Sequence, residues 1–166
     1  MKSVLISIKP KWVEKIANKE KTIEVRKTRP KIKTPFKCYI YCTIGNGIKG
    51  DYLIPSNLQC GKVIGEFVCD KIEEFHEYEL SPCKKFYEFE KARLDLFLKE
   101  SCLSYNEVCD YRKNLPYYKS LYGWHISDLK IYDKPKELGN FFTPMGKRPS
   151  YMIDRPPQSW CYVEEL

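Results

Sequence analysis

The stretch Lys19–Lys27 holds the residue types most able to do chemistry. On an extended strand, side chains alternate between faces, so Thr22, Glu24, Arg26 and Thr28 share one face and Ile23 and Val25 share the other. The apolar face suits a core. The polar face sets a carboxylate two residues from a guanidinium, with Lys21 and Lys27 on either side, which suits a polar cleft better than packing. Arg26 offers a rigid fork of donors to a phosphate or a base edge. Glu24 can accept from an exocyclic amine or hold Arg26 in place, and Lys21 is a mobile cation at the strand's entrance. Lys27, Arg29, Lys31 and Lys33 extend the positive surface along a nucleic-acid backbone. Tyr39, Tyr41, Trp124 and Trp160 are candidate stacking platforms for splayed bases, with core packing as the competing reading for each. Trp12 reads as core. His125 lies between Trp124 and Ile126 at a strand start, as a rim histidine or as a group that bonds a ligand or moves a proton.

The charge is unevenly spread. The chain carries +7 overall, with +9 in residues 1–37 and −2 in the remainder. A basic patch on a near-neutral body fits a phosphate-bearing partner, against the plain alternative of a solvated lysine-rich surface. No apolar run approaches the roughly 20 residues that span a bilayer, so no membrane is expected. The opening Met1–Lys9 has too short an apolar segment for a signal peptide and reads as a first strand; the expected location is cytoplasmic. Eight cysteines read mainly as unpaired thiols. Disulfides are disfavoured without an export signal. A zinc site is disfavoured because Cys38 and Cys42 fall about 13 Å apart on a strand, and Cys60, Cys69, Cys83, Cys102, Cys109 and Cys161 form no Cys-x-x-Cys pair. No metal and no cofactor is expected.

The elements that must position these residues follow from local pattern. Residues 3–8 read as a strand, and Pro10 opens a helix whose Trp12, Val13, Ile16 and Ala17 share a face. The key strand should run over about Thr22–Thr28, followed by a basic, proline-punctuated loop. Phe36–Thr43 alternates as a strand, with Phe36, Cys38, Ile40 and Cys42 opposite Tyr39, Tyr41 and Thr43. Gly45–Gly50 reads as a flexible turn without a phosphate-loop signature. A strand over Lys62–Lys71, a helix over about 84–99 and a second helix capped by Ser104 and Glu107 come next. Two extended segments begin at Tyr122, residues 139–157 form a long loop, and Ser159–Glu164 is the final strand. Helices are too few for a doubly wound sheet, so the pattern points to a mainly β fold, a small curled sheet closed into a barrel with peripheral helices. One domain over 1–166 is expected, with a helical insertion at about 80–115.

Lys21, Glu24 and Arg26 match the Gly-x-Lys-x-x-Glu-x-Arg signature of the ASCH domain, a branch of the PUA-like superfamily, with Lys19 in place of the glycine. Ser7–Pro10, Gly61–Phe67, Tyr122–Ile126 and Arg155–Trp160 also resemble a bacterial and phage subgroup of these proteins. The resemblance covers most of the chain, least over 80–115. It implies a mixed β-barrel whose cleft is lined by the signature residues and binds nucleic acid, RNA more than DNA, or a modified nucleoside. Some members of the superfamily are amidohydrolases that deacylate acetylated cytidine with a lysine matching Lys21, a threonine at the place of Glu24 and a downstream glutamate. Glu24 lacks that hydroxyl. Thr22 shares its face but sits about 7 Å away, and Glu66, Glu73 or Glu74 would supply the downstream acid. A nuclease using Lys21, Glu24 and His125, and a protein-interaction adaptor, are the further alternatives.

Overall fold

The structure is a computed structural model that describes residues 2–44, 58–76, 88–146 and 149–166. The turn expected at 45–50, the start of the helix expected from 84, and Glu77, Glu79 and Cys83 lie outside the described residues. Strand β1 (Lys2–Ile8) leads into helix α1 (Pro10–Ala17), strand β2 (Ile23–Arg26) and strand β3 (Phe36–Cys42). Strands β4 (Val63–Cys69) and β5 (Ile72–Phe75) follow, then helices α2 (Glu88–Ser101) and α3 (Tyr105–Arg112). Strands β6 (Leu121–His125), β7 (Ser127–Lys136) and β8 (Trp160–Glu164) complete the chain. No described helix is long and apolar enough to cross a membrane.

Pro10 takes the first helical position of α1, where its missing N–H costs nothing, and Val13 and Ile16 are buried on the predicted face. The helix ends with Glu20 N bonded to Lys15 O and Lys19 N bonded to Ile16 O, a Schellman closure. That closure needs a left-handed residue, and Lys19 supplies it with φ of 61°. This is the position where the resemblance expects glycine, which adopts such a φ without penalty. The capping box of α3 is also present: Ser104 accepts from Glu107 N while the Glu107 carboxylate accepts from Ser104 N.

Three apolar clusters organise the layers. Phe36, Cys38, Ile40 and Cys42 face Val4, Ile6, Ile8, Val13, Phe67 and Trp124. The opposite face of β3 carries Tyr39 and Tyr41 into a second cluster with Leu5, Val63, Tyr132, Phe141 and Ile153. The alternation along β3 holds, and both of its faces are buried. A third cluster joins Ile23, Val25, Phe75 and Leu121 to Phe97 of α2 and Val108 of α3.

The closed barrel is not what forms. The strands make two separate sheets, ordered β7-β4-β3-β1-β8 and β2-β6-β5. The chain passes from one sheet to the other four times, between β1 and β2, β2 and β3, β4 and β5, and β6 and β7. On the far side nothing closes the ring: among the described residues no backbone pairing joins β2 to β1 or β8. The reason is the short run of β2. It ends at Arg26, and the basic loop that follows meets β8 through side chains, Trp160 Nε1 donating to Thr28 Oγ1 and the Tyr162 hydroxyl accepting from Lys31 N, not through a backbone ladder. A side chain spans the opening instead, because Arg26 Nη2 donates to the Ser7 carbonyl at 2.6 Å. Among the described residues the fold is therefore mixed α/β, with two open sheets and three α-helices.

Candidate functional site

The gap between β2 and β1 holds a cleft of about 800 Å³. One wall is Lys21, Glu24 and Arg26; a second is Ser7, Ile8, Lys9 and Trp12; α3 supplies Glu107, Asp110 and Tyr111, and Pro156–Ser159 closes the rest. Lys21 is placed by the closure of α1, its backbone N–H bonding the Lys15 carbonyl at 3.1 Å. Its ammonium donates to the Ser101 carbonyl at 2.6 Å, at the end of α2, where the helix dipole favours a cation. It also lies 5.1 Å from the centre of the Trp12 ring. Glu24 stands between two cations, with Oε2 3.4 Å from Lys21 Nζ and Oε1 3.1 Å from Arg26 Nη2. The three residues are only 2%, 6% and 8% exposed, so their charges interact in a medium far less polar than water.

Burial pushes the Lys21 pKa down, and the Glu24 carboxylate opposes the shift. Burial likewise raises the pKa of Tyr111, with Arg26 pulling the other way. Two atoms of the wall have no hydrogen-bond partner, Glu24 Oε2 and Arg26 Nε. One is an acceptor and one a donor, and they flank the same cleft. The lining charges are balanced: Lys9, Lys21 and Arg26 oppose Glu24, Glu107 and Asp110. The basic residues expected to extend the cleft, Lys27, Arg29, Lys31 and Lys33, do not line it. Lys27 Nζ sits over the Tyr111 ring at 4.8 Å and Arg29 over the Tyr122 ring at 5.7 Å.

Glu24 and Arg26 thus share a face as the alternation implied, and Lys21, which precedes the strand, meets them because the closure of α1 places it there; several other candidates lie elsewhere. Trp124 is fully buried behind the wall, edge-on to Phe36 at 5.8 Å. Tyr39 and Tyr41 are buried against the other face of the five-stranded sheet. Trp160 donates to Thr28 Oγ1 at 3.0 Å and packs on Trp124 and Tyr162. Thr22 is exposed and absent from the cleft wall, its backbone N–H spent on the Glu100 carbonyl. Glu66 pairs with Tyr39 across β3–β4, shares its face, and accepts from the Tyr132 hydroxyl. Glu74 accepts from Tyr122 at 3.4 Å. His125 faces a second hollow of about 510 Å³ under α2, with its Nε2 3.6 Å from Glu73 Oε1.

The contribution of α3 was not visible beforehand. The capping box announces the helix, but nothing local shows that Glu107, Asp110 and Tyr111 turn toward β2. Trp12, read as core, is half-buried and serves the wall, with Lys11 Nζ 4.3 Å from its ring. Among the described residues no group of three His, Cys, Asp or Glu side chains is placed to hold a metal ion.

Neither a family profile nor a curated protein matches the sequence. Among solved structures, the crystal structure of an ASCH protein from Zymomonas mobilis aligns with a TM-score of 0.62 at 18% identity, covering 98% of this chain and 88% of that one. In fold, this chain is similar to an ASCH protein. A Ser-to-Ala variant of the same Zymomonas protein aligns equally well, with a TM-score of 0.63 at 17% identity over 98% of this chain and 89% of the other. At this identity the likeness is one of architecture alone. What the ASCH-like fold holds at its opening must be argued from the side chains there.

Proposed function

We propose that the cleft between β2 and α3 receives a nucleobase, presented by a modified nucleoside or by an unstacked position of single-stranded nucleic acid, RNA more than DNA. The observation that carries this reading is buried Arg26 Nε, which has no hydrogen-bond partner, beside Glu24 Oε2, whose only contact is a 3.4 Å ion pair with Lys21. Leaving a buried donor such as Arg26 Nε unsatisfied costs about 1–3 kcal/mol, a cost that a guest offering it an acceptor removes, while a donor on the same edge would strengthen the bonding of Glu24. A base edge has that pattern: an amine for Glu24 and a ring nitrogen or carbonyl for Arg26. Trp12 and Tyr111 offer flat apolar faces beside it, and the balanced charge of the wall suits a neutral heterocycle better than a phosphate. Lys27, Arg29, Lys31 and Lys33, which follow β2 in sequence, suit the phosphates of the attached strand.

The test is titration of labelled single-stranded RNA and DNA at several salt concentrations, with free nucleosides, acetylated cytidine among them, as competitors. Binding should weaken as salt rises. The double variant Arg29→Ala/Lys31→Ala should lower the salt slope by about 2 if both side chains contact phosphates. Absence of association with RNA, DNA and nucleosides at low salt overturns the reading. A hydrolytic role is favoured by one feature, the lowered pKa of Lys21 beside a carboxylate, since a lysine so shifted can exchange a proton during turnover. Release of cytidine from acetylated cytidine, lost in Lys21→Met, would support it; equal release by both proteins would remove Lys21 from the chemistry.

A further inference from the structure

Seven described cysteines are unpaired, and two of them are neighbours. Cys42, the last residue of β3, is fully buried, whereas Cys60 is exposed. Their sulfurs stand 3.6 Å apart. The backbone fixes this approach. Cys42 N donates to the Lys62 carbonyl at 2.9 Å, and Gly61 N donates to the Cys42 carbonyl at 2.7 Å. Gly61 turns the chain with φ of 84°, a conformation natural to glycine, and Cys60 immediately precedes it. A disulfide bond is about 2.05 Å long, so side-chain rotation must close only about 1.5 Å. The exposed sulfur gives an oxidant access, and the buried one waits behind it. Cys38 and Cys69 are buried as well, but neither has an exposed thiol shown beside it.

We propose that Cys42 and Cys60 are a thiol pair that closes to a reversible disulfide when the protein meets a peroxide. In the first step the Cys60 thiolate attacks one oxygen of hydrogen peroxide. The O–O bond breaks, an S–O bond forms, and the departing hydroxide takes up the proton lost by the thiol, leaving water and a sulfenic acid. In the second step the Cys42 sulfur attacks the Cys60 sulfur. The S–S bond forms, the S–O bond breaks, and the leaving hydroxide takes the Cys42 proton as a second water. Two thiols lose two electrons in all and one peroxide gains them. A dithiol reductant reverses the reaction by exchange. Burial raises the Cys42 pKa, as does its neighbour Cys60, so the second step should quicken with rising pH. This inference is independent of what the cleft binds.

The experiment treats the folded protein with hydrogen peroxide, removes the peroxide, unfolds the chain in denaturant with N-ethylmaleimide to block remaining thiols, and maps the peptides without reductant. The expected result is loss of two alkylatable thiols, a peptide linking Cys42 to Cys60, and recovery of both thiols with dithiothreitol. Cys60→Ser, a change at an exposed position, should abolish the link and leave Cys42 alkylatable. In Cys42→Ser, Cys60 should pass on to the sulfinic acid, which dithiothreitol does not reverse. The proposal is overturned if wild-type Cys60 reaches the sulfinic acid as fast as in Cys42→Ser. It is equally overturned if Cys60 appears only in links to other molecules.

Discussion

Glu24→Gln is the most informative single change at the cleft. The substitution keeps the shape and removes the one carboxylate that Lys21 and Arg26 share, at 3.4 Å and 3.1 Å. Both cations stay buried, at 2% and 8% exposure. Stranding a buried charge costs about 3–5 kcal/mol. The lower end applies here, because Lys21 keeps the Ser101 carbonyl and Arg26 keeps the Ser7 carbonyl. A loss of about 3 kcal/mol lowers the melting temperature by about 9 °C in a domain of this size. Lys21→Met should behave differently. The lowered Lys21 pKa means that desolvation outweighs the attraction of Glu24, so deleting the ammonium relieves a cost and leaves the Glu24–Arg26 pair whole. What is lost is chiefly one hydrogen bond to a buried carbonyl, about 1 kcal/mol. Thermal and urea denaturation followed by circular dichroism reads the difference, about 2 kcal/mol between the two variants. The sign of the pH dependence is also fixed. Below the folded-state pKa, Lys21 is charged in both states and the burial penalty is fully present. Between that lowered value and the ordinary 10.5, the unfolded chain keeps a proton that the folded chain has released, so stability rises with pH. Lys21→Met should abolish that rise. Equal destabilisation by the two variants, or equal alkaline slopes in wild type and Lys21→Met, would refute the reasoning.

Two further changes test the frame around the cleft. Lys19→Gly should stabilise the protein by about 1 kcal/mol, because glycine relieves the left-handed residue that closes α1; a urea midpoint that does not rise would mean the strain is absent. Gly65→Ala should destabilise by about 2 kcal/mol or more, since its added carbon would meet the Lys130 carbonyl at 2.5 Å and Ile131 at 3.1 Å. An unchanged urea midpoint there would show that β7 gives way freely along β4.

Period-two reading was enough to set Glu24 beside Arg26 and to divide β3 into two faces, whereas Lys21 owes its place to the closure of α1. It also separates Trp124 from His125, which are adjacent and therefore point to opposite sides of β6. The observed register confirms this split, with Glu24 opposite Trp124 and Ile23 opposite His125. That places His125 with Glu73 and α2, away from the cleft. The same rule puts Glu66 beside Tyr39 once the β3–β4 register is known. Registers between distant strands are not written locally, so Glu66, Glu73 and Glu74 remained open choices. The aromatic candidates failed for a different reason. Tyr39 and Tyr41 are covered by Phe141 and Ile153, from a loop with no periodicity to announce that it would fold back. Barrel closure was beyond local reach too, since it depends on whether four residues of β2 extend far enough to pair with β1.

The opening between the sheets explains why buried charges are tolerated here. Lys21 ties β2 to the end of α2, Arg26 ties it to β1, and Glu24 holds the two cations at a fixed spacing. These contacts clasp the fold where backbone pairing is missing. A clasp alone does not account for the whole arrangement. Well-packed apolar residues often serve such a joint at equal or lower cost, and native structures rarely leave buried polar atoms unbonded. The clasp uses Lys21 Nζ, Glu24 Oε1 and Arg26 Nη2. Glu24 Oε2 has only its looser ion pair with Lys21, and Arg26 Nε has no hydrogen-bond partner, yet both stay buried at the wall of the cleft. That residual bonding capacity is what the proposed guest would use. On that proposal the same residues hold the sheets at their open side and present a donor and an acceptor to a nucleobase.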